Sequence, residues 1–181
     1  MKKTIFIVLI MAVFCVFMLP AQESSRAGVM LSHFATRNFA TGAILGADLD
    51  LIVQAAVRAP SASNRQPWFF TVVQNLDLAQ KIVPQAVEGN VLIIVSTEGT
   101  ASSQILDCGL ATQNIYLTAQ ALGYASRIYT GPIDNLNRNL KGELGLPASR
   151  NAVALVRVGR LVDATSSAST RRPANETVTY K

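Results

Sequence analysis

The 181-residue chain is poor in the residues that build metal centres and disulfides, with 2 cysteines and 1 histidine. Cys15 lies in an apolar N-terminal run, so Cys108 is left without an intrachain partner and a disulfide framework is excluded. So small a set also leaves no His/Cys zinc site. Charged residues make up only 15% of the chain. The formal net charge of +5 is scattered, and Lys2 and Lys3 carry two of those charges. A nucleic-acid surface needs basic residues gathered on one face, so that partner class is not expected. Two catalytic signatures are missing as well. No G-x-S-x-G elbow is present, and no G-x-G-x-x-G follows an apolar strand, which removes the hydrolase triad and the Rossmann dinucleotide site.

One long hydrophobic run exists. It extends from Ile5 to Leu19 without a charge, behind Lys2 and Lys3, and ends at Pro20 and Ala21 before the polar Gln22-Glu23-Ser24-Ser25. Basic residues, an apolar stretch and a small residue in this order describe a secretory signal peptide. The expected division is a signal peptide over 1–21 and one domain over 22–181, exported to an extracytoplasmic compartment. The alternative is an uncleaved membrane anchor, for which so short a run is marginal.

Half of the residues are hydrophobic, enough for one core. Val29 to His33 is expected as a short helix and Thr36 to Gly46 as irregular chain. Asp48 is a plausible N-cap for a helix ending near Arg58, with Leu49, Ile52, Val53 and Ala56 on one face. Trp68 to Val73 is aromatic and β-branched, hence a strand, and Val91 to Ser96 is continuously apolar, hence a buried one. Leu76 to Val83 reads as a short helix. Ser103 to Leu122 is the longest helix, apolar nearly all round, and is expected to be buried in the core or between subunits. Gly123 closes it. Ala125 to Tyr129 and Ala152 to Val158 are expected strands, Asn135 to Leu144 a helix, Asp163 to Ser169 a loop and Thr177 to Tyr180 a last strand. The sum is one α+β domain, a mixed, mostly antiparallel sheet flanked by helices.

The most specific segment is Ala59-Pro60-Ser61-Ala62-Ser63-Asn64-Arg65-Gln66-Pro67-Trp68, between a helix and a strand. Ser61, Asn64 and Gln66 carry groups that donate and accept hydrogen bonds. Pro60 and Pro67 stiffen the turn and lower the entropy cost of holding those groups in place. This loop closely resembles the signature loop of the FMN-dependent nitroreductase family. Further blocks resemble the family in the same order. They are His33-Phe34-Ala35-Thr36-Arg37-Asn38-Phe39, the helix segment Asp107 to Ile115 running on to Gly123, Gly145-Leu146-Pro147 with the strand to Gly159, and Arg171-Arg172-Pro173.

The resemblance implies a nitroreductase-like fold, a homodimer with two interfacial FMN sites, and small-molecule electron donors and acceptors. It implies an FMN-dependent oxidoreductase that takes hydride from NAD(P)H or another donor onto flavin N5. Nitroaromatic or quinone-like acceptors are then reduced in ping-pong fashion. No protein acid or base is required, since the cofactor carries the redox chemistry. The implied cofactor-binding residues are Pro60, Ser61, Ala62, Asn64 and Gln66 at the ring, and His33, Arg37, Arg171 and Arg172 at the phosphate. Arg suits that role because its guanidinium binds phosphate bidentately. The chain departs from the family pattern in two ways. His33 and Ala35 replace a usual Arg and a frequent Ser, and the turn Tyr129-Thr130-Gly131-Pro132 lacks the Glu of the family's Pro-Glu-Gly-like turn. Thr130 or Gly131 can still offer a backbone N–H to flavin N5. A second class of function fits an exported chain: a flavin-binding electron relay or partner module with little turnover.

Overall fold

The computed structural model describes residues 28–162 and 170–181. The expected signal peptide and the expected loop from Asp163 to Ser169 lie outside the described residues. The chain forms two compact units, Met1–His33 and Phe34–Lys181, so the structural division falls at residue 33. Within the first unit residues 28–32 are helical (α1).

The second unit is a five-stranded sheet with helices on both faces. Its strands are β1 (Phe39–Ala40), β2 (Phe69–Val73), β3 (Val91–Thr97), β4 (Ala125–Tyr129) and β5 (Asn151–Leu161). The order is β1-β5-β3-β2 with β4 also on β5, and every pairing is antiparallel. The expected sheet type is therefore borne out in its antiparallel form. The helices are α2 (Gly46–Val57), α3 (Leu76–Ile82), α4 (Ser102–Ala121), α5 (Ile133–Asn135, continued as a π-helical turn Leu136–Leu140) and α6 (Ala174–Thr177).

Strand alternation divides the core. Val91, Ile93, Val95, Val156 and Val158 pack with Ile52 and Ala56 of α2 and with Cys108, Ala111, Ile115 and Ala119 of α4. Leu92, Ile94 and Leu155 point the other way, into a cluster with Ala79, Ile82, Leu136, Leu140 and Leu146. Successive side chains of a strand face opposite sides, so a strand covered on both faces must be apolar throughout. All seven residues of β3 are buried, and the first five, Val91 to Val95, are apolar for this reason.

Several expectations are corrected. Asp48 does not cap α2: Leu45 occupies that position, and Asp48 sits in the first turn, accepting a 2.6 Å hydrogen bond from the Tyr124 hydroxyl. The helix expected over 135–144 begins at Ile133 and gives way to turns after Leu140, where Gly142 and Gly145 weaken it. Thr177 to Tyr180 is not a strand. Thr177 ends α6 and Val178 follows as extended chain. The segment has no ladder partner among the described residues, and β propensity without a partner makes no strand. The segment 36–46 contains β1, because Phe39 and Ala40 pair with Leu161 and Arg160. Within the single chain α4 is buried on one side, and Ile105, Leu106 and Leu110 are 42%, 63% and 36% exposed, so its expected burial is met in the core only in part.

Candidate active site

The loop between α2 and β2 is held at both ends and in the middle. Ala59 and Trp68 are buried in the core. Between them Ala62 N–H donates to both carboxylate oxygens of Asp107 on α4, at 3.1 and 3.2 Å. Asp107 is itself buried. The Asn114 amide, two turns further along α4, donates to Ala55 O at 2.8 Å and ties α2 to the same helix. Within the loop, Ser61 Oγ accepts from Gln66 N–H at 3.0 Å, and Gln66 Nε2 donates to Asn64 Oδ1 at 3.2 Å.

The loop backbone is unusual. Ser63, Asn64 and Gln66 have φ of 52°, 55° and 49°. Left-handed conformation is uncommon outside glycine and costs about 1–3 kcal/mol per residue. Three such residues close together persist only because Asp107, Ala59 and Trp68 fix the flanks. The result is a projecting turn whose Asn64 and Gln66 side chains are exposed.

Arg37 is placed by a second set of contacts. Gln120 of α4 grips the Phe34 backbone, accepting from its N–H at 3.0 Å and donating to its O at 2.8 Å. Asn38 N–H donates to Thr36 Oγ1 at 3.0 Å, and Phe39 enters the sheet. Arg37, between these anchors, lines a cleft of about 480 Å³ together with Gln85, Arg127 and Tyr129. That volume lies in the usual range for small-molecule sites, about 300–1,000 Å³. No carboxylate is among the described residues that line it. The turn at Thr130 and Gly131 follows Tyr129 directly and is exposed.

Arg157 of β5 belongs to the same region, although composition and spacing did not single it out. It is 1% exposed. Its Nε donates to Asn90 Oδ1 and its Nη2 to Gln85 O, both at 2.7 Å, and its Cζ lies 3.9 Å from the Phe39 ring centroid. Nη1 has no partner among the described residues. Burial pushes the guanidinium pKa down, and the Tyr129 hydroxyl opposes this. Gln85, Arg127 and Tyr129 were also missed. The available signal was an Arg interrupting the Val-rich run Ala152-Val153-Ala154-Leu155-Val156-Arg157-Val158 and another in the short strand Ala125 to Tyr129.

The fold thus brings Arg37 to the end of β4 that leads into Thr130 and Gly131. It fixes Pro60, Ser61, Ala62, Asn64 and Gln66 on one turn against α4. Arg171 and Arg172 are exposed on the C-terminal segment and are not among the residues lining the cleft. His33 ends the first unit and is described with it.

An antiparallel α+β sheet with a strained polar loop and a guanidinium-lined cleft is the class that fold and site define. The model of the Nitroreductase family matches residues 31–91 and 84–160, and the chain belongs to that family. A relative from Archaeoglobus fulgidus, provisionally named NADH dehydrogenase/NAD(P)H nitroreductase, is 32% identical over 62% of this chain and 71% of its own length. A relative of the same name from Methanothermobacter thermautotrophicus is 32% identical over 55% of this chain and 58% of its own. Among solved structures, a nitroreductase with bound FMN from Desulfitobacterium hafniense superposes with a TM-score of 0.72 at 23% identity, covering 85% of this chain and 96% of that one. A nitroreductase with bound FMN from Bacteroides fragilis gives 0.71 at 22%, covering 88% and 97%. The fold is nitroreductase-like.

Proposed function

We propose that this protein is an FMN-dependent oxidoreductase of nitroreductase type, acting as a homodimer on small-molecule donors and acceptors. The observation that carries the reading is the cleft: guanidinium groups with no carboxylate among the described lining residues, in a chain of this family, fit an anionic cofactor. Arg157 supports that fit from behind, because its buried guanidinium donates to the Gln85 carbonyl and meets the Tyr129 hydroxyl, and both of those residues line the cleft. Bound FMN would supply hydride chemistry at N5, serving donor and acceptor alternately in ping-pong fashion. The chain's own work is to hold and orient. Ser61, Asn64 and Gln66 offer donors and acceptors to the polar edge of the ring, Arg37 and Arg171 offer positive charge to the phosphate, and the Thr130–Gly131 turn offers a backbone N–H. The partly exposed apolar residues Ile105, Leu106 and Leu110 support a partner subunit along α4. Nitroaromatic or quinone-like compounds are the acceptors this reading favours.

Export is part of the proposal, supported by Lys2, Lys3 and the uncharged run from Ile5 to Leu19. An exported flavoprotein needs a donor outside the cytosolic nicotinamide pool, which favours an electron-relay role as the second reading. The visible spectrum of the purified protein separates the two. A yellow protein bleached anaerobically by NADH or NADPH supports the enzyme, and a yellow protein left unbleached supports the relay. A colourless protein that does not take up added FMN overturns both.

A further inference from the structure

The cleft holds more positive charge than the resemblance calls for. Two family phosphate positions are His33 and Ala35 here, yet β4 and β5 add two guanidiniums. Arg127 and Arg157 are Cα partners across the β4–β5 ladder, so alternation sends both side chains to one face of the sheet. Like charges directly opposite one another destabilise a ladder.

Among the described residues no salt bridge relieves that repulsion. Arg127 has its Cζ 5.4 Å from the Tyr129 ring centroid, and the contacts of Arg157 are an amide oxygen, a backbone carbonyl and two aromatic side chains. Both salt bridges among the described residues lie elsewhere, at Lys81–Glu143 and Arg150–Glu98. Gln85, whose carbonyl accepts from Arg157, and Tyr129, whose hydroxyl meets it, both line the cleft. A desolvated cation therefore stands behind Gln85 and Tyr129, which line the cleft together with the half-buried Arg127.

We propose that Arg127, backed by Arg157, forms an anion subsite of this cleft that holds a negative oxygen group of the flavin beside Arg37. The proposal rests on the FMN reading above. Arg127 touches the ligand, and Arg157 is a positioning residue acting through Gln85 and through Tyr129, on whose ring Arg127 rests. Two parts of the cofactor offer such a group: the phosphate, and the pyrimidine edge of the ring, which gains negative charge on reduction.

The test uses the full chain and its R127Q variant. Each is titrated with FMN and with riboflavin, followed by flavin fluorescence, and the midpoint potential of the bound flavin is measured. If the subsite holds the phosphate, R127Q weakens FMN about 10–100-fold, the range for a lost charge-assisted bond, and leaves riboflavin unchanged. If it holds the ring edge, R127Q affects both flavins alike and lowers the potential, by about 30 mV for each tenfold loss of preference for the reduced form. R157Q shifts the same quantity in the same direction, an effect that loss of packing alone does not produce. Should R127Q not fold, R127K carries the test, because it keeps the charge and loses the planar fork. Partial loss of the same quantity is expected. A wild-type chain that binds FMN, with both the FMN-to-riboflavin ratio and the potential unmoved in the variants, overturns the subsite alone. A wild-type chain that binds no flavin overturns the FMN reading and the subsite with it.

Discussion

Asn64 and Cys108 show how unlike two polar residues of one site region can be. Asn64 is exposed, left-handed and held only within its own loop, which leaves its amide available to a ligand. Asn64→Ala and Arg171→Ala are each expected to weaken FMN retention by about 1–3 kcal/mol, the cost of a lost polar or charge-assisted contact. Equilibrium dialysis against FMN checks this, and unchanged affinity in both variants removes these contacts from the site. Cys108 is fully buried next to Asp107. Burial first, and the Asp107 charge second, push its thiol up to about 11 from 9.0, so it is inert near neutrality. The folded state therefore binds more protons than the unfolded state between those values. Its contribution to stability is complete below pH 9 and is lost as the pH rises toward 11, by at most about 3 kcal/mol at 1.36 kcal/mol per unit. Cys108→Ala is expected to flatten the alkaline limb of a melting-temperature profile. An unchanged slope would place the alkaline sensitivity in another group.

At the scale of elements, periodicity identified most of the structure and failed where a contact remote in sequence decided the outcome. Asn75 caps α3, accepting from Leu78 N–H at 2.9 Å, and Asn75→Ala is expected to cost about 1 kcal/mol. Thermal melting checks it, with Asn75→Asp as the variant that keeps the cap. The entry to β3 depends on Gly89, whose φ is +82° and where a Cβ would overlap the backbone of Gly42. Gly89→Ala therefore combines backbone strain with a clash that no flexible side chain can absorb. A loss of at least about 2 kcal/mol is expected, read as a drop in melting temperature. A wild-type melting curve would mean that the Gly42 segment yields. Two of the elements that the residues misreported share one cause. Asp48 met a tyrosine 76 positions away instead of capping its helix, and the C-terminal Val178 and Tyr180 have no strand to join among the described residues.

On the scale of the whole molecule, the proposed dimer can be tested at the partly exposed apolar residues of α4. Exposed apolar surface is common in single residues, but Leu106 and Leu110 stand one turn apart with Ile105 beside them. Leu106→Glu would bury an unpaired charge in an interface there. Sedimentation is expected to show a dimer for the natural chain and a monomer for the variant. A variant that remains dimeric would put the interface elsewhere.

Local chemistry alone determined much of this protein. Alternation and β-branching marked four of the five strands, helical spacing marked α2 and α4, and the Pro-, Ser-, Asn- and Gln-rich segment from Ala59 to Trp68 marked the loop. These signals are readable because each lies within one turn or one strand of its neighbours. Tertiary structure decided the rest. Asp107 became the anchor of Ala62, and Arg37 came to share a cleft with Gln85, Arg127 and Tyr129. Arg157 was left buried behind that cleft without a salt bridge among the described residues. Such relations depend on which strands pair and in what register, and pairing is fixed by burial summed over the whole sheet, which no single segment contains.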